Sequence, residues 1–167
     1  MNKILTLLLI AGLIGMDLVS CSNKRSDYRD DLEINTMQKE IDQLLYHADS
    51  LISYDPDDIH FYLDIPEEYC IDCIVRAQTS STSIDEYGIF HCNNESDAKK
   101  LEELIEEYLE RALDGKRDWL TSYNPGELEK LEKSRVERYG CYVFYGILDP
   151  STERMAVRKI EELLSQE

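Results

Sequence analysis

Cys70, Cys73, His91 and Cys92 place three thiols and an imidazole within 23 residues, a set that could bind a metal ion or carry thiol chemistry. Thiolates and imidazole are the ligands tetrahedral zinc prefers, and paired thiols can also close or exchange a disulfide. The outcome depends on the strands that carry them. Tyr69 to Gln78 predicts a strand with Ile71, Cys73, Val75 and Ala77 on one face, and Ile84 to Cys92, rich in β-formers, predicts a second. Thr79 to Ser83 is the turn between them, so the pair reads as a hairpin. Folding it about Ser81 brings Cys70 nearly opposite His91 and Cys92, which makes Cys70 and Cys92 a disulfide candidate. Residues three apart on an ideal strand face opposite ways, so Cys70 and Cys73 share a metal or redox site with His91 and Cys92 only across a bulge. Thioredoxin-type chemistry is not expected, because it sets the first cysteine of its pair at a helix N-terminus. The expectation is no metal and no cofactor, with buried free thiols as the commonest state of such cysteines. A metal-binding or thiol-redox site at Cys70, Cys73, His91 and Cys92 is the alternative.

Other constellations are weaker. The acid pairs Glu102-Glu103, Glu106-Glu107 and Glu161-Glu162 recur on the polar faces of predicted helices, where Glu is a good helix former and solvated. His47, His60 and His91 have no Ser or Cys beside them in a nucleophile motif, and no phosphate loop or calcium loop occurs. No enzymatic activity is expected. Of the 11 tyrosines, Tyr123, Tyr139, Tyr142 and Tyr145 read as core or edge packing, although exposed tyrosine suits protein or glycan contacts.

The fifth cysteine has a different setting. Lys3 is followed by an apolar core from Ile4 to Met16, then Asp17 and Leu18-Val19-Ser20-Cys21. That core falls well short of the roughly 20 residues a helix needs to cross the hydrocarbon layer, so a spanning helix is not expected. The arrangement resembles the bacterial lipobox. The resemblance implies cleavage after Ser20, diacylation of Cys21 and a protein held by its lipid on the outer face of the cytoplasmic membrane. Two acyl chains, at about 0.8 kcal/mol per buried methylene, make a lasting anchor.

Residues 21–31 are polar except for Tyr28 and read as a tether; residues 32–167 are one domain's worth of chain. The formal net charge is −17, from 35 acidic against 18 basic residues. Nucleic acid is excluded as a partner by that balance, since binding it requires clustered Lys and Arg. Solubility is the plain consequence of so much negative charge.

Helices are expected where Met37, Ile41, Leu44, Leu45, Ala48 and Leu51 recur at helical spacing, and from Asn94 or Ser96 past Gly115 to Leu120. Two more open on cap-plus-proline pairs, Asn124-Pro125 and Asp149-Pro150. Tyr139 to Ile147, apolar on both faces, predicts a central third strand. The fold class expected is α+β: a mostly antiparallel three-stranded sheet packed by one layer of helices, in the order α-β-β-α-α-β-α.

With these segments placed, the chain resembles a family of small lipoproteins of Gram-positive anaerobes that carry a domain of unknown function. The residues concerned are Ser83 to Phe90 at the second strand, Asp97-Ala98-Lys99-Lys100 opening the long helix, Tyr123-Asn124-Pro125 with Glu127-Leu128, and Tyr139 to Phe144 at the third strand. The likeness spans Leu63 to Leu164 and implies secretion and lipid anchoring, with no catalytic residue to carry over. The expected role is a non-enzymatic binding or interaction module of the cell envelope, whose partners are the membrane, through the anchor, and a protein or envelope component.

Overall fold

The structure, a computed structural model, describes residues 27–80 and 82–165. The expected signal peptide and Cys21 lie outside the described residues.

Among the described residues five α-helices and five strands form the domain. In chain order they are α1 (Ile34–Asp42), β1 (Leu51–Ser53), α2 (Pro56–Leu63), β2 (Cys70–Gln78), β3 (Glu86–Cys92), α3 (Glu95–Tyr123), α4 (Pro125–Lys133), β4 (Arg135–Tyr139), β5 (Tyr142–Ile147) and α5 (Pro150–Leu164). The strands make one antiparallel sheet in the order β1-β2-β3-β5-β4. The expected three-stranded sheet and its α-β-β-α-α-β-α order are therefore wrong, while the α+β class stands.

Each departure from that expectation has an identifiable cause. The first helix stops at Asp42 rather than running to Leu51, and Asp42 explains the stop. Its carboxylate takes the Arg76 guanidinium at 2.5 Å and the Tyr87 hydroxyl at 2.8 Å, which ties the end of α1 to β2 and β3. Arg76 also donates to the carbonyls of Ala48 and Leu51. Those bonds hold the following segment in position to pair as β1, with Leu51 opposite Gln78. Asp55-Pro56 then opens α2 by the cap-plus-proline device that Asp149-Pro150 uses at α5, with Asp55 Oδ1 accepting from the Asp57 N–H; the cap expected of Asn124 at α4 is not made, and its side-chain amide donates to the Thr82 carbonyl instead.

The expected single strand from Tyr139 to Ile147 is a hairpin. Tyr139 pairs with Tyr142 across the two-residue loop Gly140-Cys141. Gly140 has φ 59°, the left-handed conformation that a II′-type loop requires at its first central position and that glycine adopts without strain. β5 lies inside the sheet between β3 and β4, but the central strand is β3.

Helices cover both faces of the sheet, not one. On the first face α2, α3 and α4 pack Ile59, Leu101, Ile105, Leu120 and Leu131 on Val75, Phe90, Val143 and Tyr145. On the second, α1 and α5 pack Met37, Ile41, Ala156 and Ile160 on Tyr87, Ile89, Tyr142 and Phe144. Each wholly buried side chain of this size contributes about 1.5–3 kcal/mol, so two such clusters supply an ordinary domain core. The chain ahead of α1 lies against α5: Tyr28 bridges to Ser165 and the Arg29 N–H donates to the Leu164 carbonyl at 2.9 Å.

Candidate functional site

The cysteines are positioned by an irregularity in β2. Cys73 pairs with Phe90 and Asp72 with His91, but Cys70 pairs with Cys92, so Ile71 has no partner in the register. This is the bulge that an ideal strand lacks. It keeps Ile71 62% exposed and turns Cys70 back to the face that Cys73 occupies. Cys92 is wholly buried on that face beneath α3, and Cys70 and Cys73 pack beside it. Sequence spacing had set Cys70 and Cys73 on opposite faces; the bulge brings them together.

His91 is not part of this group. Alternation along β3 sends it to the other face, where its ring stacks on Tyr142 with centroids 4.4 Å apart and planes 16° from parallel. Burial holds its imidazole below the ordinary value, with Asp30 and Asp72 pulling the other way. The structure therefore divides Cys70, Cys73, His91 and Cys92 into three thiols on one face and an imidazole on the other. Among the described residues no group of three or more His, Cys, Asp or Glu side chains is placed to hold a metal ion. Cys141 sits in the β4–β5 loop, where its carbonyl accepts the Cys92 N–H at 2.8 Å.

Cys70 and Cys73 are held in their protonated form. A hydrogen bond with Cys92, followed by burial, raises Cys70 far above a free thiol, and burial pushes Cys73 up to about 12. Nucleophilic cysteines need the reverse shift, from a cation or a helix N-terminus. Cys70, Cys73, Cys92 and Cys141 are all free thiols in the structure.

A second polar centre lies on the same face of β3, and the reading of motifs missed it. Glu86 is only 4% exposed, and both Tyr108 of α3 and Tyr145 of β5 donate their hydroxyls to its Oε1 at 2.7 Å. Burial raises the Glu86 carboxyl; the two phenols and the nearby Lys116 work against that rise. The signal was available in Glu86-Tyr87-Gly88-Ile89-Phe90, where a charged residue opens a strand that is apolar on both faces. Such an acid must be paired or neutral.

The surface carries aromatic side chains that no core requires. Trp119 and Tyr123, one turn apart near the end of α3, are 48% and 77% exposed, with ring centroids 6.0 Å apart. Phe61 on α2 is 90% exposed. Of the tyrosines read as packing, Tyr139, Tyr142 and Tyr145 are buried and Tyr123 is not. The concavity lined by Leu45, Tyr46, His47, Asp85 and Lys130 holds about 130 Å³ and a more open one beside Lys133, Arg135 and Glu153 about 240 Å³, against roughly 300–1,000 Å³ for sites that enclose a small molecule. Among the described residues no helix is long and apolar enough to cross a membrane.

No curated protein and no solved structure matches the chain. A family model matches residues 49–148, the stretch that holds all five strands with α2, α3 and α4, and the chain belongs to that family, a domain of unknown function, DUF4358.

Proposed function

We propose that this protein is a non-enzymatic lipoprotein of the Gram-positive type, held by acylated Cys21 on the outer face of the cytoplasmic membrane, and that it binds an envelope component through the aromatic end of α3. The anchor rests on Leu18-Val19-Ser20-Cys21 behind a short apolar core. The binding role rests on one observation: Trp119 and Tyr123 stand exposed side by side on one helix face. Aromatic rings are depleted from solvated surfaces and enriched where partners meet, because they supply large apolar area at little cost in side-chain entropy. Helices cover both faces of the sheet, so contact through a sheet face is replaced by contact through a helix.

The experiment is site-specific photo-crosslinking in intact cells, with the photoreactive residue at Trp119 or Tyr123 and a control at exposed Glu103. A discrete adduct from the two aromatic positions, absent at Glu103, is expected. No adduct, or the same adducts from all three positions, overturns the binding surface.

A further inference from the structure

We propose that Cys70 and Cys92 form a cross-strand disulfide, made by exchange with a small-molecule or protein disulfide, and that Cys73 remains a thiol. Register carries the assignment. Cys70 and Cys92 are Cα partners on adjacent antiparallel strands, and the residue facing Cys73 is Phe90. The pair is of the non-hydrogen-bonded kind: the Asn93 N–H donates to the Tyr69 carbonyl just outside it, and the Cys92 N–H points away to Cys141 on the β5 side. Such pairs hold their Cα atoms about 4.5 Å apart and bring side chains closest. That separation lies at the short end of the roughly 4.4–6.8 Å a disulfide spans.

Both side chains face the same core cluster, Cys92 within it and Cys70 packed against it. The surroundings fix them further. The Asn93 side chain donates to the Glu68 carbonyl, and Lys100 of α3 lies 5.0 Å above the Tyr69 ring. The Ile71 bulge is what makes the pairing possible. Extending the register of Asp72 with His91 by one step would have put Ile71, not a cysteine, opposite Cys92.

The chemistry balances as two exchanges. Cys70 loses its proton and attacks one sulfur of the oxidant disulfide, giving a mixed disulfide and releasing one thiol. Cys92 then attacks the Cys70 sulfur, closing Cys70–Cys92 and releasing the second thiol. The two protein thiols are oxidised by two electrons and the oxidant disulfide is reduced to two thiols. The raised thiol of Cys70 and the full burial of Cys92 make this closure slow, which suits a bond made once and kept rather than a catalytic couple.

The test is peptide mapping of the full chain after equilibration with oxidised glutathione and alkylation of the remaining thiols. Trypsin cuts after Lys39, Arg76 and Lys99, so Cys70 and Cys73 share residues 40–76 while Cys92 lies in residues 77–99. The expected result is a link between these two peptides in the wild type and in Cys73→Ser, its loss in Cys70→Ser, and a melting temperature several degrees higher for the oxidised wild type. Persistence of the link in Cys70→Ser, a Cys70–Cys73 link within one peptide, or free thiols at Cys70, Cys73 and Cys92 after equilibration would overturn the assignment. The readout is independent of where the protein resides and of what it binds.

Discussion

The ring of Tyr145 lies across the bare Cα of Gly88: a Cβ built on Gly88 would stand 2.3 Å from Tyr145 Cε1 and 2.9 Å from Phe90 Cε2. The two residues are cross-strand partners on β3 and β5. The missing side chain lets the tyrosine lean along the sheet far enough for its hydroxyl to reach Glu86. Gly88→Ala forces the ring out and with it the hydrogen bond. We expect a loss of about 1–3 kcal/mol in denaturant melts, the range of core overpacking. Gly115, inside α3 with nothing within 4 Å of a built Cβ, is the control. Gly115→Ala should stabilise by about 0.5–1 kcal/mol, because alanine fits the helix and gives up less backbone entropy.

Glu86 anchors two phenols, so its removal and its neutralisation should differ. Glu86→Ala leaves the hydroxyls of Tyr108 and Tyr145 without an acceptor in a buried site and opens a cavity, an expected cost of about 2–4 kcal/mol. Glu86→Gln keeps an oxygen for both and removes a charge that burial disfavours. It should melt no lower than the wild type at neutral pH. A Gln variant as unstable as the Ala variant would show that the charge itself is required.

Glu153, in the first turn of α5, is 4% exposed, with Oε1 buried and unpartnered. Burial pushes its carboxyl up to about 7, against the pull of Arg135. The folded chain therefore holds this proton more tightly than the unfolded chain, whose Glu titrates near its ordinary value of about 4.3. The stabilisation is fully present below that value and is lost as pH rises through about 7. Glu153→Gln should flatten this decline and raise the melting temperature at pH 8 relative to the wild type. Melting curves from pH 4 to 8 decide the point; an unchanged slope in the variant would place the dependence elsewhere.

Cys21→Ser should release the protein from membranes, since the acyl chains are lost while the domain from α1 to α5 is untouched. Fractionation in high salt is the measurement. A variant that still pellets with membranes would rule out the lipid anchor.

Features set within a few residues were legible in the amino-acid order alone. Asn94 caps α3 through the Asp97 N–H at 3.0 Å, Asp149-Pro150 opens α5, and the Leu101, Ile105, Tyr108 and Leu109 stripe faces the core, because caps and helical periodicity act over one or two turns. The β2–β3 hairpin was legible for the same reason. Gly140 and Asp55-Pro56 were local signals too: Asp55-Pro56 opens a helix as well as closing the segment before it, and Gly140 turns the chain inside a β-rich run.

Tertiary structure decided the rest. α1 ends at Asp42 because Arg76 and Tyr87, distant in sequence, converge on its carboxylate. Burial of the sheet on both faces follows from where α1 and α5 return, which no single segment encodes. The thiol group is the sharpest case. Alternation within one strand separates Cys70 from Cys73, and only pairing with β3, which leaves Ile71 without a partner, turns Cys70 to face Cys92. A register shift is a property of two strands together, so it cannot be read from the spacing of either.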